Sequence, residues 1–366
     1  VSKRFGVGIV GMKAGVTWAS SAHLPALRHL SDDYTVVGLA NTSHESALAA
    51  AQAAGIDRAF RSVDELIACP EVDVVTVTVR VPHHFAIASA ALRAGKHVYC
   101  EWPLGNGLAE AIALRDLAHS CGKVGVVGTQ AVVVPEITYV RQLIADGYVG
   151  EVLSTSLIGS GMLWGPTIQS RNIYLLDPAS GGNMLTIPVA HTLAGVQHVL
   201  GEIASVSALC ERRRKVATVN ETGEEVPMLT NDQVMVMGRL ASGVPMSLHY
   251  RGGVPRGPGL LWEIHGTEGD IVIEADNGHA QMVQLSVKGA RGEDRALLPL
   301  TPPQPAESWP QAAAPRNVAM AYALMADDIR NGTHTAPSFD DAVQLHRVVA
   351  AIEQSASSGL WVDVGR

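Results

Sequence analysis

Residues 72–79 form a nearly unbroken run of valine and threonine, interrupted only by Asp73. Such a run marks a β-strand buried on both faces. A parallel sheet covered by helices on each side hides a strand in this way, so the run dictates an α/β layer around itself. Its neighbours agree. Residues 5–10, 35–39, 97–100 and 124–127 are short apolar runs of strand type. Between them, residues 43–54 and 85–94 are Ala-rich helical stretches, the second closed by Gly95. Residues 1–128 therefore read as an α/β domain of Rossmann type.

After Gly128 the pattern changes. A helical stretch at 137–146 ends at Gly147. Strand-like segments then follow at 151–158, 203–210, 233–240, 244–250, 261–265, 270–274 and 282–288, without helices of comparable length between them. Consecutive strands at this spacing predict an antiparallel sheet, and Gly243 sits where a hairpin would turn. Residues 129–315 thus read as an α+β domain. The Pro- and Ala-rich stretch 298–315 reads as a connector. In the remaining segment, 316–366, two helices are expected to pack back on both domains. Ser338 and Asp341 resemble a capping box. Ala342, Leu345, Val349, Ile352 and Ala356 form an apolar stripe.

Composition narrows the partners. With 366 residues, 47% hydrophobic and 17% charged, the chain can bury two cores. A net charge of −8 without a dense basic run argues against nucleic acid or an anionic membrane. The short run Arg212, Arg213, Arg214, Lys215 is expected to be a solvated loop edge. Cys69, Cys100, Cys121 and Cys210 show no CxxC spacing, which fits reduced thiols rather than disulfides, zinc or another metal. The start lacks the apolar core of a signal peptide, and no run of about eighteen apolar residues occurs, so a cytoplasmic location is expected. The glycine-rich stretch 251–259 is expected to be a mobile loop.

The first strand runs into Gly11-Met12-Lys13-Ala14-Gly15 and then a helical pattern. A diphosphate needs bare backbone amides and the positive end of a helix, which this order supplies. Gly11 and Gly15 permit close approach. Lys13 stands where a second glycine is usual, and the turn extends through Thr17 and Trp18. A glycine-bearing turn occurs in any doubly wound protein; the βαβ context is what turns it into a dinucleotide site. After the second strand come Asn41, Thr42, Ser43 and His44 instead of a carboxylate. Either Ser43 and His44 bond a 2′-phosphate, favouring NADP, or Asn41 serves the ribose hydroxyls of NAD. Arg80 lies at the sheet's carboxyl edge, meeting a cofactor or substrate anion or making a structural ion pair. Gln130, just past the last strand, is placed to reach the nicotinamide region.

Three further blocks carry a resemblance: Pro82-His83-His84; residues 90–98, ending Gly95-Lys96-His97-Val98; and Glu101-Trp102-Pro103-Leu104. With residues 143–152, they resemble the glucose–fructose oxidoreductase/inositol dehydrogenase (Gfo/Idh/MocA) family over nearly the whole chain. The long turn with Trp18 and the segment 264–270 are most similar to the branch of the fungal galactose-pathway repressor. The resemblance implies a Rossmann domain plus a large open, mainly antiparallel sheet, with substrate between them over the nicotinamide. It also implies dimers or tetramers through the sheet face. Glu101 would shape the turn near the carboxamide ribose, with Trp102 as an aromatic wall and His84 nearby.

Sugar-oxidising members use a Glu-Lys-Pro motif together with an Asp and a His four residues apart. Here Trp102 replaces the Lys and Ile187 stands four before His191, so His191 alone remains. Three readings follow. The chain is an NAD(P)-dependent oxidoreductase of a sugar-like substrate, with His191 as acid/base helped by Tyr174, Asp177 or His84; an imidazole titrates near neutral pH without help. Alternatively, it is an inert dinucleotide-binding regulator. In the third reading, His191 is a satisfied core histidine on an apolar helix. The first is favoured, because no added basic segment offers a way to regulate transcription.

Overall fold

A computed structural model describes residues 3–303 and 306–365. Residues 304 and 305 of the expected connector, and positions 1, 2 and 366, lie outside that set. The chain divides into two compact units, Val1–Gln130 with Ala306–Val343, and Ala131–Pro305 with Gln344–Arg366.

In the first unit, β1 (Phe5–Val10), β2 (Tyr34–Ala40), β3 (Val74–Val77), β4 (His97–Glu101) and β5 (Gly125–Gly128) form a parallel sheet in the order β2-β1-β3-β4-β5. Every residue of β1 and β3 is buried, as a two-faced strand requires. The run at 72–79 is longer than β3 because its flanks serve other ends. Asp73 accepts from Gly6 N at 2.9 Å, and the Thr78 hydroxyl donates to the carbonyls of Val10 and Gly11.

Helices α1 (Leu24–His29), α2 (His44–Ala54), α3 (Val63–Ala68), α4 (His84–Arg93) and α5 (Leu108–Cys121) connect the strands. Ser43 and Ser62 cap α2 and α3 by accepting from Ser46 N and Glu65 N. The sequence reading had found α2 and α4 but not α3 and α5.

The second unit contains α6 (Pro135–Ala145), β6 (Val152–Ser160), β7 (Thr167–Ile168), α7 (Ala190–Leu200), β8 (Ile203–Glu211), β9 (Val216–Val219), β10 (Glu225–Pro227), β11 (Gln233–Leu240), β12 (Pro245–Arg251), β13 (Leu260–Gly266), β14 (Gly269–Ala275), β15 (Ser286–Arg291) and β16 (Leu298–Pro299). Nine strands form one sheet, β16-β15-β14-β13-β6-β12-β11-β8-β17, with β17 (Val362–Asp363) at its edge. The sheet is mainly antiparallel, but β6 pairs with β12 in parallel near its centre, from Met246↔Thr155 to Arg251↔Ser160. Gly243, at φ 93°, turns the β11–β12 hairpin.

Several expectations need correcting here. The strand placed at 282–288 is Ser286–Arg291, and the connector carries β16 at its start. Its far end already belongs to α8 (Ala313–Asn331). The glycine-rich stretch is pinned where it leaves β12: Gly252 N donates to Asp232 O and Gly253 N to Leu163 O, both at 2.7 Å. The basic run is not merely solvated, since Arg214 pairs with fully buried Asp232 at 2.8 Å.

The C-terminal segment is divided between the units. α8 belongs to the first, and α9 (Phe339–Ser358) runs from the first into the second. Ser338 and Asp341 form a reciprocal capping box at 2.8 and 3.1 Å. Ala342, Leu345, Val349 and Ile352 of the expected stripe are buried. All four cysteines are free. Among the described residues no helix is long and apolar enough to cross a membrane, and no group of three or more His, Cys, Asp or Glu side chains is placed to hold a metal.

Candidate functional site

The turn after β1 is built from the inside. Gly11 has φ 96° and donates to Ala40 O at 3.0 Å, and a Cβ there would lie 2.6 Å from Val79 Cγ1. Its bare Cα thus serves packing against the chain leaving β3. Met12 N donates to Asn41 Oδ1 and Lys13 N to Thr17 Oγ1, at 2.8 and 3.1 Å. Ala14 N and Gly15 N have no hydrogen-bond partner among the described residues. Gly15 is exposed at φ 68°, and a Cβ on it would meet nothing within 4 Å. The Trp18 indole N–H is shielded from water yet unpartnered, at the start of the following helix. Open amides and a waiting donor beside a helix start are what a diphosphate requires, so these residues fit a dinucleotide.

The residues after β2 have local duties as well. Asn41 Nδ2 donates to Met12 O and Ser46 O, so both ends of its carboxamide are engaged by the backbone rather than held out for a ribose. Ser43 caps α2, and His44 Nδ1 lies 3.3 Å from Phe60 O. Arg80 is exposed just past β3, and Lys13 is exposed on the turn.

At the carboxyl end of β4 a polar chain runs into the core. Glu101 Oε1 accepts from His23 Nε2 and from Gln130 Nε2, both at 2.8 Å. His23 Nδ1 lies 2.9 Å from the Tyr322 hydroxyl, which lies 2.8 Å from Thr76 Oγ1. Gln130 also reaches Tyr99 at 3.2 Å. His23, Thr76, Tyr99 and Tyr322 are wholly buried, and burial pushes the pKa values of both tyrosines well above the ordinary phenol value. Sequence reasoning missed His23, Thr76, Tyr99 and Tyr322. Trp102 is buried beside Glu101 in sequence.

His84 does not fit the helper role expected for it. It is buried, with Nδ1 2.7 Å from Pro103 O and Nε2 2.8 Å from Val79 O. Burial also pushes its pKa down. Both ring nitrogens face backbone carbonyls at the β3 and β4 exits, and a neutral imidazole, with its single N–H, donates to one of them at a time.

In the second unit, His191 sits in the first turn of α7. Asn183 and Thr186 cap the approach reciprocally: Asn183 Oδ1 accepts from Thr186 N, and Asn183 N donates to Thr186 Oγ1. Pro188, which has no N–H, is absorbed by a wide turn in which Val189 N donates to Met184 O. The ring is buried like a core residue, but it is not satisfied like one, because Nδ1 has no partner among the described residues. Burial, with His279 adding to it, pushes the pKa down to about 3. The expectation that it titrates near neutral pH is therefore corrected: desolvation removes the charged form. His279 is fixed by its own bond from Nε2 to Gly161 O at 2.9 Å. Tyr174 is half-buried on the short helix Ser170–Leu176. Asp177 is exposed and caps the next turn through Ala179 N. Neither bonds Nδ1 of His191.

Comparison with known proteins places both units. Residues 5–129 match the oxidoreductase family with the NAD-binding Rossmann fold, and residues 135–275 match the Gal80p C-terminal domain. The galactose/lactose metabolism regulatory protein GAL80 of Saccharomyces cerevisiae is 26% identical over 341 residues, covering 87% of this chain and 77% of the relative. A super-repressor mutant of that protein shares the fold, with TM-score 0.90 at 22% identity over 99% and 98% of the two chains. The dehydrogenase aclE of Aspergillus oryzae is 28% identical over 380 residues, 98% of each chain. A levoglucosan dehydrogenase solved with NADH and levoglucosan superposes with TM-score 0.84 at 23% identity over both full lengths.

Proposed function

Since this chain belongs to the Gfo/Idh/MocA oxidoreductase family, with its NAD-binding Rossmann fold and a second domain of Gal80p type, we propose that it is a nicotinamide-dependent oxidoreductase of a sugar-like hydroxyl or carbonyl compound. The observation that carries this reading is the set of unfilled donors at Ala14 N, Gly15 N and Trp18 Nε1 on the turn after β1. Lys13, Gly15, Thr17 and Trp18 would hold the diphosphate. Ser43 and His44 would lie on the adenosine side, and Arg80, Glu101, Trp102 and Gln130 on the nicotinamide side. A bound dinucleotide would supply hydride exchange. His191 would meet a ligand hydroxyl with its unpartnered Nδ1, relieving a cost of about 1–3 kcal/mol. With its pKa near 3 it serves better as a neutral hydrogen-bonding group than as an acid, so Tyr174 is the first alternative for proton transfer, with Asp177 after it.

A second reading, an inert dinucleotide-binding regulator, is favoured by the same His191 and by Trp102, whose indole only donates. Titrating the protein with dinucleotide and then screening polyols, keto-sugars and cyclic imines at the reduced-nicotinamide absorbance separates the two. Turnover supports the enzyme; dinucleotide binding without turnover across the panel supports the regulator.

Three finer features complete the proposal. NADP is expected to bind at least as well as NAD, because no carboxylate follows β2 until exposed Glu45 in α2. Self-association as a dimer or tetramer is supported by exposed Leu209, Met235 and Ile158, which share one cross-strand row with His249 on the nine-stranded sheet. Four free thiols agree with a cytoplasmic setting.

A further inference from the structure

We propose that Glu101 makes the first unit select the oxidised, cationic nicotinamide ring over the reduced, neutral one. The inference rests on the dinucleotide reading above and specifies which redox form the site favours.

The sheet order fixes the direction. The glycine turn leaves β1, and residues 41–44 leave β2 on one side of it. With the adenosine half on the β2 side, the nicotinamide half must run the other way, over the ends of β3 and β4. Strands about 4.8 Å apart put the end of β4 roughly 10 Å from β1. Glu101 is the last residue of β4.

Its carboxylate is a built feature. Oε1 is held by His23 and Gln130 at 2.8 Å each. A Cβ at Gly128 would lie 2.6 Å from the carboxyl carbon, so that glycine is the floor on which the group rests. Oε2 has no partner among the described residues, and the side chain keeps 15% of its surface open. No Lys or Arg among the described residues pairs with it, and Trp102 stands where the family places a lysine. His23 lies between the carboxylate and the buried Tyr322 hydroxyl, with Nε2 2.8 Å from Glu101 Oε1 and Nδ1 2.9 Å from the phenol oxygen, so it holds Oε1 in place and leaves Oε2 to a ligand.

Gln130 adds an independent sign. It is 1% exposed, its Nε2 is spent on Glu101 and Tyr99, and its Oε1 has no partner. Two unpartnered acceptors, the partly exposed carboxylate oxygen and the buried Gln130 Oε1 beside it, favour a ligand that donates hydrogen bonds and carries positive charge. The carboxamide of either redox form supplies the donors; only the oxidised ring supplies the charge. One such attraction across a mostly buried site is worth about tenfold or more in affinity, after allowance for the carboxylate's partial exposure.

The test is calorimetric titration of the full chain with NAD+ and with NADH, for the wild type, Glu101→Gln and Glu101→Asp. The wild type should bind NAD+ at least about tenfold more tightly than NADH. Glu101→Gln should lower that ratio about tenfold, chiefly by weakening NAD+, while Glu101→Asp should keep most of it. Equal affinities in the wild type, a preference for NADH, or an unchanged ratio in Glu101→Gln would overturn the inference alone. A wild type that takes up neither dinucleotide would overturn the dinucleotide reading beneath it as well. Thermal melts identify a variant that has not folded, in which case the wild-type ratio and the Asp variant decide.

Discussion

Asn41 grips Met12 by both ends of its carboxamide: Oδ1 accepts from Met12 N and Nδ2 donates to Met12 O, each at 2.8 Å. The pair closes like a short rung between the end of β2 and the glycine turn, setting the path on which Ala14 and Gly15 present their amides.

This rung changes what a substitution at position 41 should do. From sequence, an aspartate there would favour NAD by repelling a 2′-phosphate. In the structure an aspartate cannot donate to Met12 O and would face that carbonyl with a second acceptor. Asn41→Asp is therefore expected to cost about 1–3 kcal/mol in stability and to weaken NAD and NADP together. Denaturant melts with parallel titrations check this; NAD affinity that rises while NADP affinity falls would show the rung to be dispensable.

Buried histidines predict a marked acid sensitivity. Desolvation holds His191 at about 3 and His97 at about 4, and His84 and His279 are also lowered. A histidine lowered in the folded state binds its proton more readily when unfolded. Its share of stability is complete above the unfolded value, near 6.5, and is lost as pH falls from there toward the folded value. Each contributes up to about 1.4 kcal/mol per pH unit within that window. Unfolding free energies between pH 7 and pH 4 should fall steeply, and His191→Asn should flatten the slope by about one histidine's share. An unchanged slope would mean that His191 is solvated and protonates freely.

Asp328 is the reverse case. Burial alone would raise its pKa, but hydrogen bonds from Ala336 N, from the Thr333 hydroxyl and from the N–H and hydroxyl of Thr335, at 2.7–2.9 Å, hold it below the ordinary carboxylate value. The group knots the end of α8 to the segment leading into α9. A carboxylate lowered on folding stabilises above its unfolded pKa, and that stability is lost as pH falls through the folded one, here below about 4. Asp328→Asn should lower stability by about 3 kcal/mol at neutral pH, since several charge-assisted bonds weaken at once. It should also remove part of the acid-induced loss. Melts at pH 7 and pH 3 test both halves.

The parallel sheet was legible because burial on both faces leaves a continuous apolar run, and β1 to β5 lie close to where such runs stand. The mainly antiparallel sheet was legible strand by strand, through alternation and turn residues. Its central parallel pair was not, because alternation says which face a residue takes and nothing about which strand lies beside it. The glycine turn was found, but the division of labour within it was not: Gly11 is spent on packing and Gly15 is open, a difference set by neighbours 67 and 68 positions away at Thr78 and Val79. The chain behind Glu101 was invisible for the same reason. His23 and Tyr322 lie 299 positions apart and carry no local pattern. The state of His191 was misread because an imidazole's titration follows its burial, which a lone histidine in an apolar stretch does not disclose.

In the proposed site, the turn after β1 binds a nicotinamide dinucleotide through the amides beside Gly15. The direct measurement is a calorimetric titration of wild type and Gly15→Asp with NAD and NADP, with melting curves for both proteins. Position 15 faces open space, so the substitution meets no clash and costs the fold only about 1 kcal/mol for its positive φ. Its carboxylate would stand where the diphosphate belongs. The wild type should bind one dinucleotide per chain, and Gly15→Asp should bind at least tenfold more weakly with a nearly unchanged melt. No binding by the wild type, or equal affinity in a well-folded Gly15→Asp protein, would contradict the claim.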